Sequence, residues 1–264
     1  RFDCDGSSDV CSSDLVDPAK VLALAQKTYG AIPPRAVPAR KPRTEPVQQG
    51  LRRIDFKAPA EQAYVALAFH VPGISRIEDM GDSDRDGLAL LVLSAVLSGY
   101  DGARLERALT QGADRVADAA DSQASVFGRG PSLFLLTGVP AAGKTAQQVE
   151  DALRAEIARV AREGVSEAEL SRVKTQWAAS TIYARDSLYS QASDLGSNWV
   201  QGLPLDATER LLRLLRAVTP EQVRSVAARY FGDDQLTVAT LLPQPVASGA
   251  RRAAPAQAAG ERMH

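Results

Sequence analysis

Between Gly164 and Gly196 apolar or small side chains fall at Leu170, Val173, Trp177, Thr181, Ala184, Leu188 and Leu195. Those steps of three and four keep one stripe on one side of a helix, so the spacing predicts a single long helix with one buried face. Ser166 with Glu169 opens it as a capping box, the hydroxyl accepting one orphan backbone N–H and the carboxylate another. The same period predicts a helix from Ala146 that buries Val149, Leu153, Ile157 and Val160, and a buried helix over Asp82–Ser98 that ends at Gly99. Shorter helices are predicted at Ala103–Leu109, at Asp206–Arg216, and at Pro220–Tyr230, where Thr219 and Gln222 supply another cap. Near the start, Val16–Gly30 has Asp17 at the cap, Pro18 at the first helical position and Gly30 as the stop.

A period of two marks the strands. Leu51–Lys57 alternates Ile54 and Phe56 against Arg53, Asp55 and Lys57, which predicts a half-buried strand. Ala63–Val71 is apolar at nearly every position, the mark of a central strand. Val116–Phe127 is a weaker strand or pair, and Ser132–Thr137 and Leu236–Leu242 are short apolar ones. Strands arrive in neighbouring groups and helices in a later group. That order predicts an α+β fold, a largely antiparallel sheet packed against helices, rather than alternating βαβ units. Ala31–Pro46 is a Pro-rich basic linker, extended because each proline disfavours helix before it, and 246–264 has no apolar period and reads as a disordered tail.

Composition narrows the function classes. In 264 residues, 45% apolar content suffices for a core, and the length allows one large domain or two small ones. A net charge of −1 and 5% aromatic residues give neither a basic field for a nucleic-acid backbone nor a stacking platform for bases. The longest apolar run, Leu88–Leu97, is interrupted by Ser94 and too short to span a bilayer. Asp5–Leu15 resembles one reading frame of a sequencing adapter, with Gly6 where that frame gives tryptophan, so residues 1–15 are set aside as an artefact. The other reading of that stretch is a secreted segment with a Cys4–Cys11 disulfide; both cysteines of the chain lie there. A gene joined to adapter at Val16 would lack its start, where a signal peptide and a whole domain could stand.

The stretch from Gly164 to Gly196 resembles the long helix near the end of a domain in the insulinase (pitrilysin-like) zinc peptidases. That family opens the helix with E-x-E-L-x-x-x-K, here Glu167, Glu169, Leu170 and Lys174. It closes it with R/K-D-S-x-x-x-Q-A-x-x-L/I-G, here Arg185, Asp186, Ser187, Gln191, Ala192 and Gly196. Val16–Gly30 is similar to the family's V-D-P-x-x-V segment. Gly99–Leu109 is similar to its G-x-x-S-R-L turn and helix, with Gly99, Arg104 and Leu105 in place and Ala103 where the family has serine. Ala217–Pro245 resembles its closing helix and last strand. The resemblance covers most of 16–245 and implies a domain of the mitochondrial processing peptidase-like metallohydrolase fold.

The same resemblance shapes what chemistry to expect. Peptidases of this family bind zinc through H-x-x-E-H, whose glutamate is the general base. No such motif stands here; His70 and His264 are the only histidines, and His70 ends an apolar strand. The non-zinc half of such peptidases carries an arginine and a tyrosine that grip substrate, and counting from Arg104 and Leu105 those places fall near Thr110 and Ala117, so no such pair is carried over. Asp186 and Ser187 have no histidine to serve as base. Gly138–Thr145 satisfies the P-loop formula G-x-x-x-x-G-K-[ST] between a strand and a helix, yet no acidic residue ends a second apolar strand to hold magnesium, the next clear strand, Leu236–Leu242, ending in Pro243. Gly143, Lys144 and Thr145 are therefore read as a coincidental match, with Thr145 and Gln148 forming another capping box.

The expectation is a non-catalytic C-terminal domain of an insulinase-type zinc peptidase, with no cofactor in this chain and zinc in the complete protein. Its implied partners are an upstream zinc-bearing domain, a second homologous half or subunit, and an unstructured peptide substrate, with no nucleic acid and no membrane span. The resemblance favours the bacterial periplasm. Gly99, Arg104, Leu105, Glu169, Lys174, Arg185 and Asp186, the family-motif positions, are candidates for a structural or chamber role. Two alternatives remain: a scaffold subunit of the same family, and a P-loop NTPase.

Overall fold

The computed structural model describes residues 16–36, 41, 45–128 and 131–245. The expectations for 1–15 and for the tail 246–264 lie outside the described residues. Five strands, β1 (Arg52–Pro59), β2 (Tyr64–Val71), β3 (Ala117–Ser125), β4 (Ser132–Pro140) and β5 (Leu236–Gln244), form one sheet in the order β1-β5-β2-β4-β3. All neighbours run antiparallel except β1 with β5, which are parallel. The helices are α1 (Pro18–Thr28), α2 (Asp82–Ser98), α3 (Ala146–Glu163), α4 (Glu167–Ala184), α5 (Leu188–Gln201), α6 (Ala207–Ala217) and α7 (Pro220–Arg229), with a π-helical turn at Glu106–Thr110. The fold is α+β.

One face of the sheet carries the core. Along β2 the residues alternate: Val65, Leu67, Phe69 and Val71 are buried, while Ala66, Ala68 and His70 are half-buried. Phe134 and Leu136 of β4 and Leu236 and Val238 of β5 extend the buried face; α2 and α3 pack over it, and α7 lies against both of them. Phe231, just after α7, sets its ring edge-on against both Phe69 and Phe134, with centroids 4.9 Å apart in each pair. α3 buries Val149, Leu153, Ile157 and Val160, the stripe its sequence predicts. Its approach to β4 requires Gly138, because a Cβ there would lie 2.5 Å from Val149 Cγ1.

Two expectations are corrected. The stretch from Gly164 to Gly196 is not one helix. It breaks after Ala184, and Ser187 starts α5 as an N-cap, its side chain accepting from the Ser190 N–H. The Gln191 amide donates to the Arg185 carbonyl at the break. Serine and aspartate compete for backbone partners, and here that competition wins over a period that would otherwise continue. Of the predicted stripe only Leu170 and Val173 are buried; Trp177 packs on the core's margin, and Leu188 and Leu195 are exposed.

The second correction concerns β1. Its alternation is real, but every residue from Arg52 to Lys57 is exposed, and the face toward the helices is the charged one. Arg53 reaches back to the buried Glu150 of α3, donating from both guanidinium ends at 2.8 Å. Ile54 and Phe56 therefore stand on the opposite, open face.

Candidate functional site

Of the family-motif residues Arg104 and Glu169 meet, and the others brace separate places. Glu169 stands at the third position of α4, where it accepts the N–H and O–H of Ser166, each at 2.9 Å, and so completes the capping box. The same carboxylate receives Arg104 bidentately, Nε at 2.7 Å and Nη2 at 2.9 Å, and Arg104 also donates to the Gly164 carbonyl at 3.1 Å. A planar guanidinium suits this fork, and both side chains are largely buried. The hydrogen-bonded Arg104 guanidinium, outweighing the opposing effect of burial and aided by Ser166, holds the Glu169 carboxyl at about 2. The turn after α2 is thus fastened to the start of α4.

The other motif positions act alike. Leu105 is fully buried. Gly99 caps α2, donating its N–H to Ala95, and a Cβ there would come within 2.7 Å of Ala95 backbone. Lys174 donates to the Val218 carbonyl at 2.7 Å, tying α4 to the loop before α7. Arg185 pairs with Glu209 of α6 at 2.6 Å, and the exposed Asp186 donates its backbone N–H to Tyr183 where α4 ends. Where the family's substrate-gripping pair would fall, Thr110 donates its hydroxyl to the Glu106 carbonyl and Ala117 is fully buried.

The P-loop match takes a plain form in three dimensions. Gly138 and Pro140 belong to β4, which is antiparallel to both its neighbours, and Ala141–Lys144 is a tight turn closed by the Lys144 N–H on the Ala141 carbonyl. Gly143 supplies its positive φ of 77°. At the start of α3 the Gln148 N–H donates to Thr145 Oγ1 and the Thr145 N–H to Gln148 Oε1. Two of the donors that would cradle a phosphate are already engaged. Among the described residues no group of three or more histidine, cysteine, aspartate or glutamate side chains could hold a metal ion, and no helix is long and apolar enough to cross a membrane.

What remains is the open sheet face. The register sets Phe56 beside Leu241 and Leu241 beside Tyr64; one step along, Ile54, Ala239, Ala66 and Thr137 form the next row. A third row runs Arg52, Thr237, Ala68 and Leu135. Ile54 is 54% and Phe56 63% exposed. Large apolar side chains at the β1 edge thus border a floor of alanine and threonine, with Leu133 and Leu135 beyond it. Such a surface offers apolar contact and, along β1, an unpaired strand edge. One signal for it was available in the sequence: Ala63–Val71 is apolar on both faces, more than one helical layer needs.

The motif residues, their meeting at Arg104 and Glu169, and this sheet now have a common context. Over residues 15–177, more than half of the chain, the sequence matches the peptidase M16 inactive domain. The chain belongs to the peptidase M16 family. In fold, this M16 domain is similar to a protease from Helicobacter pylori, with 23% identity and a TM-score of 0.74 over 86% of this chain and 53% of that one. It is also similar to the peptidase M16 inactive domain from Pseudomonas fluorescens, with 18% identity and a TM-score of 0.66 over 88% of this chain and 53% of that one. The periplasmic protease PqqL from Escherichia coli matches at 18% identity and a TM-score of 0.63, over 87% of this chain and 24% of its own. The chain therefore spans about half the length of the first two and about a quarter of the third. The sequence matches no curated protein.

Proposed function

We propose that this chain is the non-catalytic C-terminal domain of an insulinase-type zinc metallopeptidase subunit, and that its open sheet face is part of the wall of a chamber enclosing an unstructured peptide. The observation that carries the reading is that face: apolar at the β1 edge, smooth across the alanine and threonine floor, and left uncovered by the helices that close the other side. An extended peptide could lie against it through apolar contact, its backbone satisfied at a strand edge. Arg104, Glu169 and Lys174 hold the wall rigid and take no part in bond breaking. Zinc and the general base would come from an upstream domain bearing H-x-x-E-H, and a second homologous half or subunit would close the chamber.

The test is to express the complete gene, with and without its genomic neighbour, and to follow chelator-sensitive cleavage of an unfolded peptide. Cleavage is expected from the complete protein and none from the present chain. Zinc-dependent cleavage by the present chain would overturn the division of roles. A complete gene without H-x-x-E-H would overturn the peptidase reading in favour of a scaffold subunit.

A further inference from the structure

Between α4 and α6 runs a groove of about 470 Å³, lined by Glu167, Ser171, Lys174, Thr175 and Ala178 of α4 and by Arg216 of α6. A volume of this size is within the range of small-ligand sites. The five α4 residues follow at steps of four, three, one and three, so they share one face of the helix. With a rise of about 1.5 Å per residue, Glu167 and Lys174 stand roughly 10 Å apart along that face.

The groove has a cationic end and an anionic end. Lys174 is half-buried and donates to the Val218 carbonyl at 2.7 Å, which engages one of its three ammonium donors. Arg216 stands two residues before that carbonyl, in the last turn of α6, so both cations belong to the same end. Glu167 stands two turns away, in the first turn of α4. Ser171 places a hydroxyl between the ends, and Thr175 places another beside Lys174. Arg53, Arg104, Arg185 and Arg229 each hold a carboxylate of another element. Among the described residues Lys174, Arg216 and Glu167 form no such ion pair, so their charges are left for something outside the domain.

A simple oxyanion would match only one end and would be repelled by the other. A molecule with a carboxylate at one end and an ammonium about 10 Å away matches both, and an extended chain covers that distance in about three residues. A guanidinium fork suits a terminal carboxylate, and hydroxyls can donate to or accept from the peptide groups between. We infer that the α4–α6 groove binds short peptides of about three residues with both ends free, the carboxylate at Lys174 and Arg216 and the ammonium at Glu167. Apart from Lys174 and Ala178 the lining residues are exposed, so water and salt screen the charges and the site fills only where short peptides are abundant. It needs no zinc-bearing domain, and the inference stands apart from the peptidase reading.

Titration of the present chain with trialanine at low salt, followed by backbone amide NMR, tests it. Saturable shifts are expected within 167–178 and 216–218, with a dissociation constant on the order of 1 mM or tighter. Trialanine amide and N-acetyl-trialanine should each bind at least about fivefold more weakly, because each lacks one terminal charge. Arg216→Gln and Glu167→Gln should weaken trialanine to a similar extent; both residues are exposed, and unchanged thermal midpoints would show that the fold is kept. No saturable shift with up to about 10 mM trialanine would overturn the inference. So would binding that is indifferent to blocking either end. Inorganic phosphate is the control: if it binds more tightly than trialanine, and Glu167→Gln strengthens it, the groove is an anion site and the peptide assignment falls.

Discussion

Arg104 and Glu169 lie 65 positions apart in sequence, and their pairing is a bidentate, largely buried brace. Because the folded-state pKa of Glu169, about 2, lies below its ordinary 4.5, the stabilisation is fully present above about pH 4.5 and is lost as the pH falls toward 2. A shift of this size corresponds to about 3 kcal/mol, and the group is only 16% exposed, so solvent screening removes little of it. Asp84 acts in the same direction. Burial opposes ionisation there, but the N–H groups of Ser75, Gly81 and Arg76 and the Ser75 hydroxyl together hold its carboxyl below the usual range. Glu156 has the opposite sign, since burial pushes it up, so its ionisation costs stability as the pH rises. Glu169→Gln should therefore cost about 3 kcal/mol at pH 7, on the scale of a broken buried pair, and should flatten the loss of stability between pH 4.5 and 2.5. Denaturant titrations across that range check it, and an unchanged acid limb would refute the assignment. Lys144 tests the other motif: calorimetry with ATP and magnesium should show no binding, and micromolar binding abolished by Lys144→Ala would restore the NTPase reading.

Among the elements, the division between α4 and α5 decides what the apolar stripe of Gly164–Gly196 does. If Ser187 is a cap, Ser187→Ala should destabilise by about 1 kcal/mol. In a continuous helix alanine would be neutral or favourable, because it is the better helix former. Denaturant midpoints with unchanged slope distinguish the two. The same break shows where sequence reasoning reached its limit. Capping signals were legible at Ser166, Thr145 and Thr219 because each acts within three residues and stands at a helix start. Ser187 carries the same chemistry, but it sits inside a period that continues through it, and period was the stronger signal. In β1 the alternation was legible and its sense was not. Which side of a strand faces the helices depends on Glu150, 97 positions after Arg53 in sequence, and no local pattern encodes that. The motif residues could be picked out one by one, whereas the meeting of Arg104 with Glu169 depends on the path of α2.

For the whole molecule, the open face predicts behaviour that the buried core does not. Phe56→Glu changes a side chain outside the core, so stability should move by no more than about 0.5 kcal/mol. Binding of an environment-sensitive apolar dye should fall, and in the complete protein the apparent affinity for an unfolded peptide should weaken while the rate at saturation holds. A loss of folding in Phe56→Glu would show that the face is internal packing; unchanged dye and peptide binding would remove it as the chamber wall.

The strand order sets a condition on how the protein is made. β5 lies between β1 and β2, yet it is the last of the five described strands to be synthesised, beginning at Leu236 when β1 has ended at Pro59. At roughly 5–20 residues per second, β1 waits on the order of ten to thirty seconds outside the ribosome before its only neighbour exists. Throughout that time the segment carrying Ile54 and Phe56 has no partner strand, and it is a template for mispairing with another nascent chain. The charges at Arg52, Arg53, Asp55 and Lys57 are then its protection. A nascent chain stopped before Leu236 should remain protease-sensitive, and should become resistant only once β5 has emerged and paired between β1 and β2.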